Sequence, residues 1–308
     1  MSTATPDTPL GPLGAILNQR PIKGRAELTP ALSTPEARRE KNGARIKALS
    51  KSQDDCEALA LLFSDQGITD DNTVPGRLKE ILAATEHWAI PGLQTGIAFS
   101  DRHFKGDQKP GGEGFRDPWE SSRNQVGHFL TAVGMSFEPA VVRRRVGGIT
   151  LRTLLDAPEA MLDSEVVRRL VIGHEKAADP SLGDAAIGAL VGAAVPVGIT
   201  GGSPVPGILG GAAIAVIRAF RAQFQAVTQS DIIAWDAALA ALGNNTALNL
   251  GAAEPELRKI PIVYENRGNS IQDLRLSLCG WYLGRAITAG RFASGEAIAT
   301  WVRKNLHD

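Results

Sequence analysis

The sequence predicts a mainly α-helical protein: a single compact helical domain behind a flexible, proline-rich leader. Three observations carry that prediction. Apolar residues recur at three- and four-residue spacing in segment after segment, capping residues stand in front of several of those segments, and strand-like alternation is almost absent. With 308 residues the chain is long enough to bury a large core, and 43% hydrophobic against 21% charged residues argues against wholesale disorder.

The leader comes first. Pro6, Pro9, Pro12, Pro21 and Pro30 lie among small polar residues, so backbone donors are lost repeatedly and no apolar period builds up. Thr34, Pro35 and Glu36 then supply a cap, a first-turn proline and an early acid, which predicts a helix through Ser50. Between Arg20 and Lys51 there are nine Lys/Arg against three Glu, so this helix is expected to be a solvated basic linker, or a docking element for an acidic carrier protein. Residues 1–52 are thus assigned to leader and linker helix, and residues 53–308 to the helical domain.

Within the domain, residues 53–64 and 75–87 read as two helices, the second with Leu78, Ile81 and Leu82 inward. Residues 91–122 break the pattern with six glycines and three prolines, which predicts a long irregular loop able to carry site residues. Helical spacing resumes over 122–136 with Val126, Phe129, Leu130 and Val133, and over 159–177 with Val166, Val167, Leu170 and Val171. It returns over 228–242 with Ile232, Ile233, Trp235 and Leu239. The last two helices, 270–289 and 295–306, follow Asn269 or Ser270 and Ser294 as caps.

The sharpest change of composition is the uncharged stretch 185–217. Pro196, Pro204, Pro206 and the glycines around them divide it into pieces shorter than the roughly 20 apolar residues a membrane helix needs. Two buried core helices joined by a glycine-proline turn are expected; the alternative is a hairpin that contacts a membrane or a protein partner, as a non-enzymatic effector or cargo protein would require.

Charge and motifs narrow the function classes. Thirty-three basic residues against 33 acidic ones leave no global field for nucleic acid, so no nucleic-acid partner is expected. Cys56 and Cys279 lie far apart in sequence without metal-ligand spacing, which rules out a disulfide framework. The N-terminus lacks the basic and apolar regions of a secretory signal, so cytoplasmic synthesis is expected, with signal-independent export left open. The glycine-rich pieces at 111–114 and 198–202 lack a phosphate-loop lysine, and no Gly-x-Ser-x-Gly elbow is present.

Polar residues at inward positions remain to be explained. His128 borders the apolar stripe of its helix and lies four residues after Asn124, close to Arg123. His174 continues Val166 and Leu170, and Glu175 continues Val167 and Val171, so both are drawn toward the core. Asn269, Asp273 and Ser277 form a polar face that Gly280 and Gly284 extend with minimal side chains, which predicts a second helix packed close against it. Arg275 is expected to face elsewhere. His87 reads as a helix C-cap and His307 as a solvated end.

One buried cluster follows from these placements, with Asp101 and His103 of the irregular loop closing over it. A histidine beside a carboxylate is an orientable general base, so a hydrolase with His128, Asp273 and Glu175 as catalytic groups is the expected chemistry, on a small-molecule or polymer substrate. His128, His174, Asp101 and His103 have the N/O ligand types of a divalent metal site, which would make the hydrolysis metal-assisted. The competing expectation is a hydrogen-bonded network that only fixes helix packing.

Overall fold

In the computed structural model, residues 35–69, 71, 73–87, 98–99, 103–104, 114–115, 125–146, 149–178, 211–243, 247–263 and 270–307 are described. These residues are mainly helical. The helices are α1 (Pro35–Ser52), α2 (Asp55–Ser64), α3 (Val74–Thr85), α4 (Gln125–Phe137), α5 (Leu151–Leu155), α6 (Asp163–Ala177), α7 (Gly211–Ala226), α8 (Gln229–Ala241), α9 (Leu250–Leu257), α10 (Ile271–Thr288) and α11 (Gly295–Leu306). Two antiparallel two-residue ladders accompany them, β1 (Glu86–His87) with β2 (Ala98–Phe99) and β3 (Arg145–Val146) with β4 (Ile149–Thr150).

The caps sit where the residue types place them. Ser270 accepts from the Asp273 amide and Ser294 from the Ala297 amide, each satisfying one of the donors that a helix start leaves over. Thr228 and Asp231 form a reciprocal capping box at the start of α8.

The long helix α10 is the centre of the domain, with Leu274, Leu278 and Leu283 fully buried. Its Gly280 and Gly284 lie against α4: a methyl at 280 would overlap the Phe129 carbonyl, and one at 284 would overlap Ser136 Oγ and the Val133 carbonyl. Because both residue numbers rise together along the contact, α4 and α10 run in the same direction. The small-residue face expected from sequence is therefore a close helix crossing. Gly280→Ala gains helix propensity, worth about 1 kcal/mol, but the backbone it meets has no rotamer to give. A net destabilisation of about 1–3 kcal/mol is expected, read as a lower denaturant midpoint at unchanged slope.

Several expectations are corrected. The basic helix α1 is not a solvated rod: Asn42, Ile46 and Ser50 are buried, Asn42 Nδ2 donates to Glu80 of α3 at 3.3 Å, and Arg45 pairs with Asp65. Ile233 is 62% exposed although Ile232, Trp235 and Ala238 are buried, since one residue turns the helix by about 100° and carries it off the stripe. His87 lies in β1, beyond the end of α3 at Thr85. His307 pairs with Asp54 at 3.1 Å and its backbone bridges to Phe115, so the last turn is docked rather than solvated.

Of the uncharged stretch, residues 185–210 lie outside the described residues; 211–217 open α7, which continues through Arg218 and Arg221 to Ala226. No described helix is long and apolar enough to cross a membrane.

Candidate functional site

Three helices bring the site together. α4 carries His128 near its start, α10 carries Asp273 in its first turn and Ser277 one turn on, and α6 ends in Gly173, His174, Glu175 and Lys176. Glu175 meets the level of His128 and Ser277, whereas residues nearer the start of α6 meet the far ends of α4 and α10, so α6 runs against the other two. The site therefore sits at the positive, N-terminal ends of α4 and α10, which favours carboxylates there.

Each residue in the last turn of α6 has its own contact. Gly173 lets α7 approach, since a methyl there would overlap the Gln223 carbonyl. Lys176 Nζ pairs with Asp231 Oδ2 at 2.7 Å, both side chains buried, and its carbonyl accepts from Val263 at 2.8 Å. Between these anchors, His174 and Glu175 are turned toward α4 and α10.

Glu175 is 2% exposed. Its Oε1 accepts from Ser277 Oγ at 2.6 Å and lies 2.9 Å from His128 Nδ1. Burial would raise the Glu175 carboxyl, but the hydrogen bonds from His128 and Ser277, with the positive charge that the two imidazoles carry once protonated, outweigh it and hold the carboxyl below its ordinary range. An ionised carboxylate can only accept, so His128 Nδ1 carries the hydrogen of that contact. Glu175 Oε2 is buried and has no hydrogen-bond partner among the described residues.

On its other side, His128 Nε2 lies 3.8 Å from Asp273 Oδ1, beyond direct hydrogen-bonding range. Asp273 is fully buried; Ser270 Oγ donates to its Oδ2 at 2.7 Å, so the cap of α10 also orients the carboxylate. His174 packs beside His128 with ring centroids 5.5 Å apart. Crowding by the protein lowers the His174 pKa, an effect that Glu175 and Asp273 oppose and His128 reinforces. One ligand-capable atom from each of His128, His174 and Glu175 lies within 4.8 Å of the others.

Of the residues expected from sequence, the structure brings together His128, His174, Glu175 and Asp273. His103 lies against Gly43 of α1. Asp101, Arg123, Asn124 and Asn269 lie outside the described residues. Arg275 faces away from the cluster and pairs with Glu254. Ser277, read from sequence as part of a polar face, and Ser270, read as a cap, were not placed in the cluster; the face that Ser277 shares with Asp273 was the signal that could have placed it there. The cluster reaches solvent through His174 and through His128, whose side chain is 11% exposed.

No family model matches the sequence, and comparison with curated proteins and with solved structures likewise returned no match. Function therefore rests on the site alone. Nucleophilic cysteine chemistry gains nothing from it: both thiols are buried, and burial pushes the Cys279 thiol up to about 12.

Proposed function

We propose that the chain is a hydrolase whose general base is His128, oriented by Glu175. The observation that supports this reading is the placement of one imidazole between two buried carboxylates from two other helices, at 2.9 Å and 3.8 Å. With Nδ1–H directed at Glu175, the lone pair of Nε2 points toward Asp273. A water held between Nε2 and Asp273 Oδ1 would lose its proton to Nε2 as its oxygen adds to an acyl or phosphoryl centre. The same proton then passes to the leaving group as its bond breaks.

A second reading is supported by Glu175 Oε2. A buried carboxylate oxygen without a partner costs on the order of 1–3 kcal/mol or more, and a divalent cation shared with His128 and His174 would satisfy it. Tetrahedral ligation at about 2.0–2.2 Å needs the three side chains to draw closer together. The cation would supply an activated water at neutral pH.

Hydrolysis of p-nitrophenyl esters and phosphoesters by the purified chain, with and without chelator, tests both readings. Activity is expected to fall by about 10²–10⁴-fold in His128→Ala and in Asp273→Asn. Chelator-insensitive activity supports the metal-free reading; loss with chelator and recovery with Zn²⁺ supports the second. No hydrolysis by the wild type, no metal in elemental analysis and only a lower melting temperature in both variants would reduce the cluster to a packing network.

A further inference from the structure

The same three helices enclose a second feature at their opposite end. A cavity of about 390 Å³ opens there, within the size range of small-molecule sites. Its apolar side is formed by Met135, Pro139 and Trp281. Its polar side is formed by Arg168, Arg285 and the hydroxyl of Ser164, with Ser136 and Thr288 nearby. None of the candidate catalytic residues lines it. Arg285 stands eight residues beyond Ser277, about 12 Å along α10.

Both arginines leave donors unused. Arg168 gives only Nη1 to Asp236, at 2.6 and 2.8 Å, and its Nε is buried without a partner. Nη2, which can donate to a carboxylate or phosphate, is thus not taken up by the ion pair. Arg285 forms no ion pair or hydrogen bond among the described residues. Ser164 lies in the first turn of α6, whose N-cap position, Leu162, provides no side-chain cap; the Glu165 amide bonds the Leu162 carbonyl, which leaves the amides of Asp163 and Ser164. Asp236 is paired with Arg168 alone and is engaged from its Nη1 side.

We infer that this cavity binds a small organic anion. The carboxylate or phosphate is held by Arg168 and Arg285 at the start of α6, and the apolar or aromatic body lies against Trp281 and Met135. Trp281 is fixed for that role by its edge-to-face contact with Trp235 at 6.2 Å. The inference does not depend on the hydrolase reading, since no residue is shared between the two sites.

Calorimetric titration of the full chain with phenyl phosphate, benzoate, inorganic phosphate and benzyl alcohol at matched ionic strength tests it. Saturable binding of phenyl phosphate or benzoate, tighter than inorganic phosphate and benzyl alcohol, is the expected result; the order of the first two identifies the anion. Arg285→Met should weaken that binding by about 10- to 100-fold. Ser164→Glu, which exchanges a hydroxyl of the polar side for a carboxylate at the solvent-exposed mouth, should weaken it in the same direction. Equal binding of benzyl alcohol, or unchanged affinity in both variants, overturns the inference.

Discussion

Asp231→Ala is expected to destabilise the protein by about 3–5 kcal/mol, among the largest losses that a single side chain here can produce. One carboxylate oxygen, Oδ2, accepts from Lys176 Nζ at 2.7 Å, from the Thr228 amide at 2.7 Å and from Thr228 Oγ1 at 2.8 Å. Those contacts hold the Asp231 carboxyl below its ordinary range even though burial pushes it upward. Removing it opens the capping box of α8 and leaves a buried ammonium without a counterion. The melting temperature should fall by roughly 10 °C. Lys176→Met in the same chain should restore part of the loss, because the double variant no longer buries an uncompensated charge. A loss in Asp231→Ala of less than about 1 kcal/mol, or no recovery in the double variant, would mean that solvent reaches this pair in the folded protein.

The consequence extends to the site. Lys176 follows directly on His174 and Glu175, so its anchor fixes the last turn of α6 that presents both to α4. A helix end that frays carries its final residues with it. Asp231→Ala should therefore raise hydrogen exchange at residues 173–177 well before the core of α6 opens, and it should impair whatever chemistry His128 performs without touching it.

How legible was this arrangement in the chain itself? Periodicity and caps located most of the helices, because an amphipathic helix repeats its signal over three or more turns and a serine before an apolar run has one common use. The short helices α5 and α9 were not legible: five residues of α5 hold too little periodicity, and Pro255 lies inside α9. That some helix packs closely on α10 was legible because glycine has no other reason to recur at four-residue spacing among leucines, but that this helix is α4 was not. Glu175 and Asp273 were found as carboxylates on apolar faces, which must be partnered. The pairings themselves were not legible. Which of two histidines meets Glu175 depends on helix order and direction, and neither is written in local spacing. Lys176 was passed over for a related reason: on a helical wheel it falls outside the apolar stripe, and only the approach of α8 buries it. The long stretches 88–124 and 179–210 fall mainly outside the described residues, so the expectation that Asp101 closes over the cluster stands where the sequence left it.

Glu175→Gln is expected to lower hydrolytic turnover by about 10²–10⁴-fold while leaving the side chain's shape intact. The wild-type carboxylate is an obligate acceptor and so requires the Nδ1–H tautomer of His128; the amide of glutamine can donate as well as accept and imposes no such choice. ¹⁵N spectra of the imidazole should show Nδ1 protonated in the wild-type chain and a mixture of tautomers in the variant. A wild-type ring protonated on Nε2 alone would remove the base from the proposed role, whatever the activity. The same variant alters the pH dependence of stability in a defined way. The His174 pKa is lowered in the folded state from an ordinary 6.5, so its contribution is complete above that value and is lost as pH falls toward the folded pKa. The Glu175 carboxyl is lowered from an ordinary 4.5, so its contribution is present above that value and is lost as pH falls through the folded pKa. Thermal midpoints of the wild type should thus decline in two stages on acidification, the first beginning below about pH 6.5 and the second below about pH 4.5. His174→Gln should abolish the first stage and Glu175→Gln the second. If Glu175→Gln leaves the acid limb unchanged, the carboxylate is not ionised in the folded protein, and the hydrogen bond that orients His128 runs in the opposite sense.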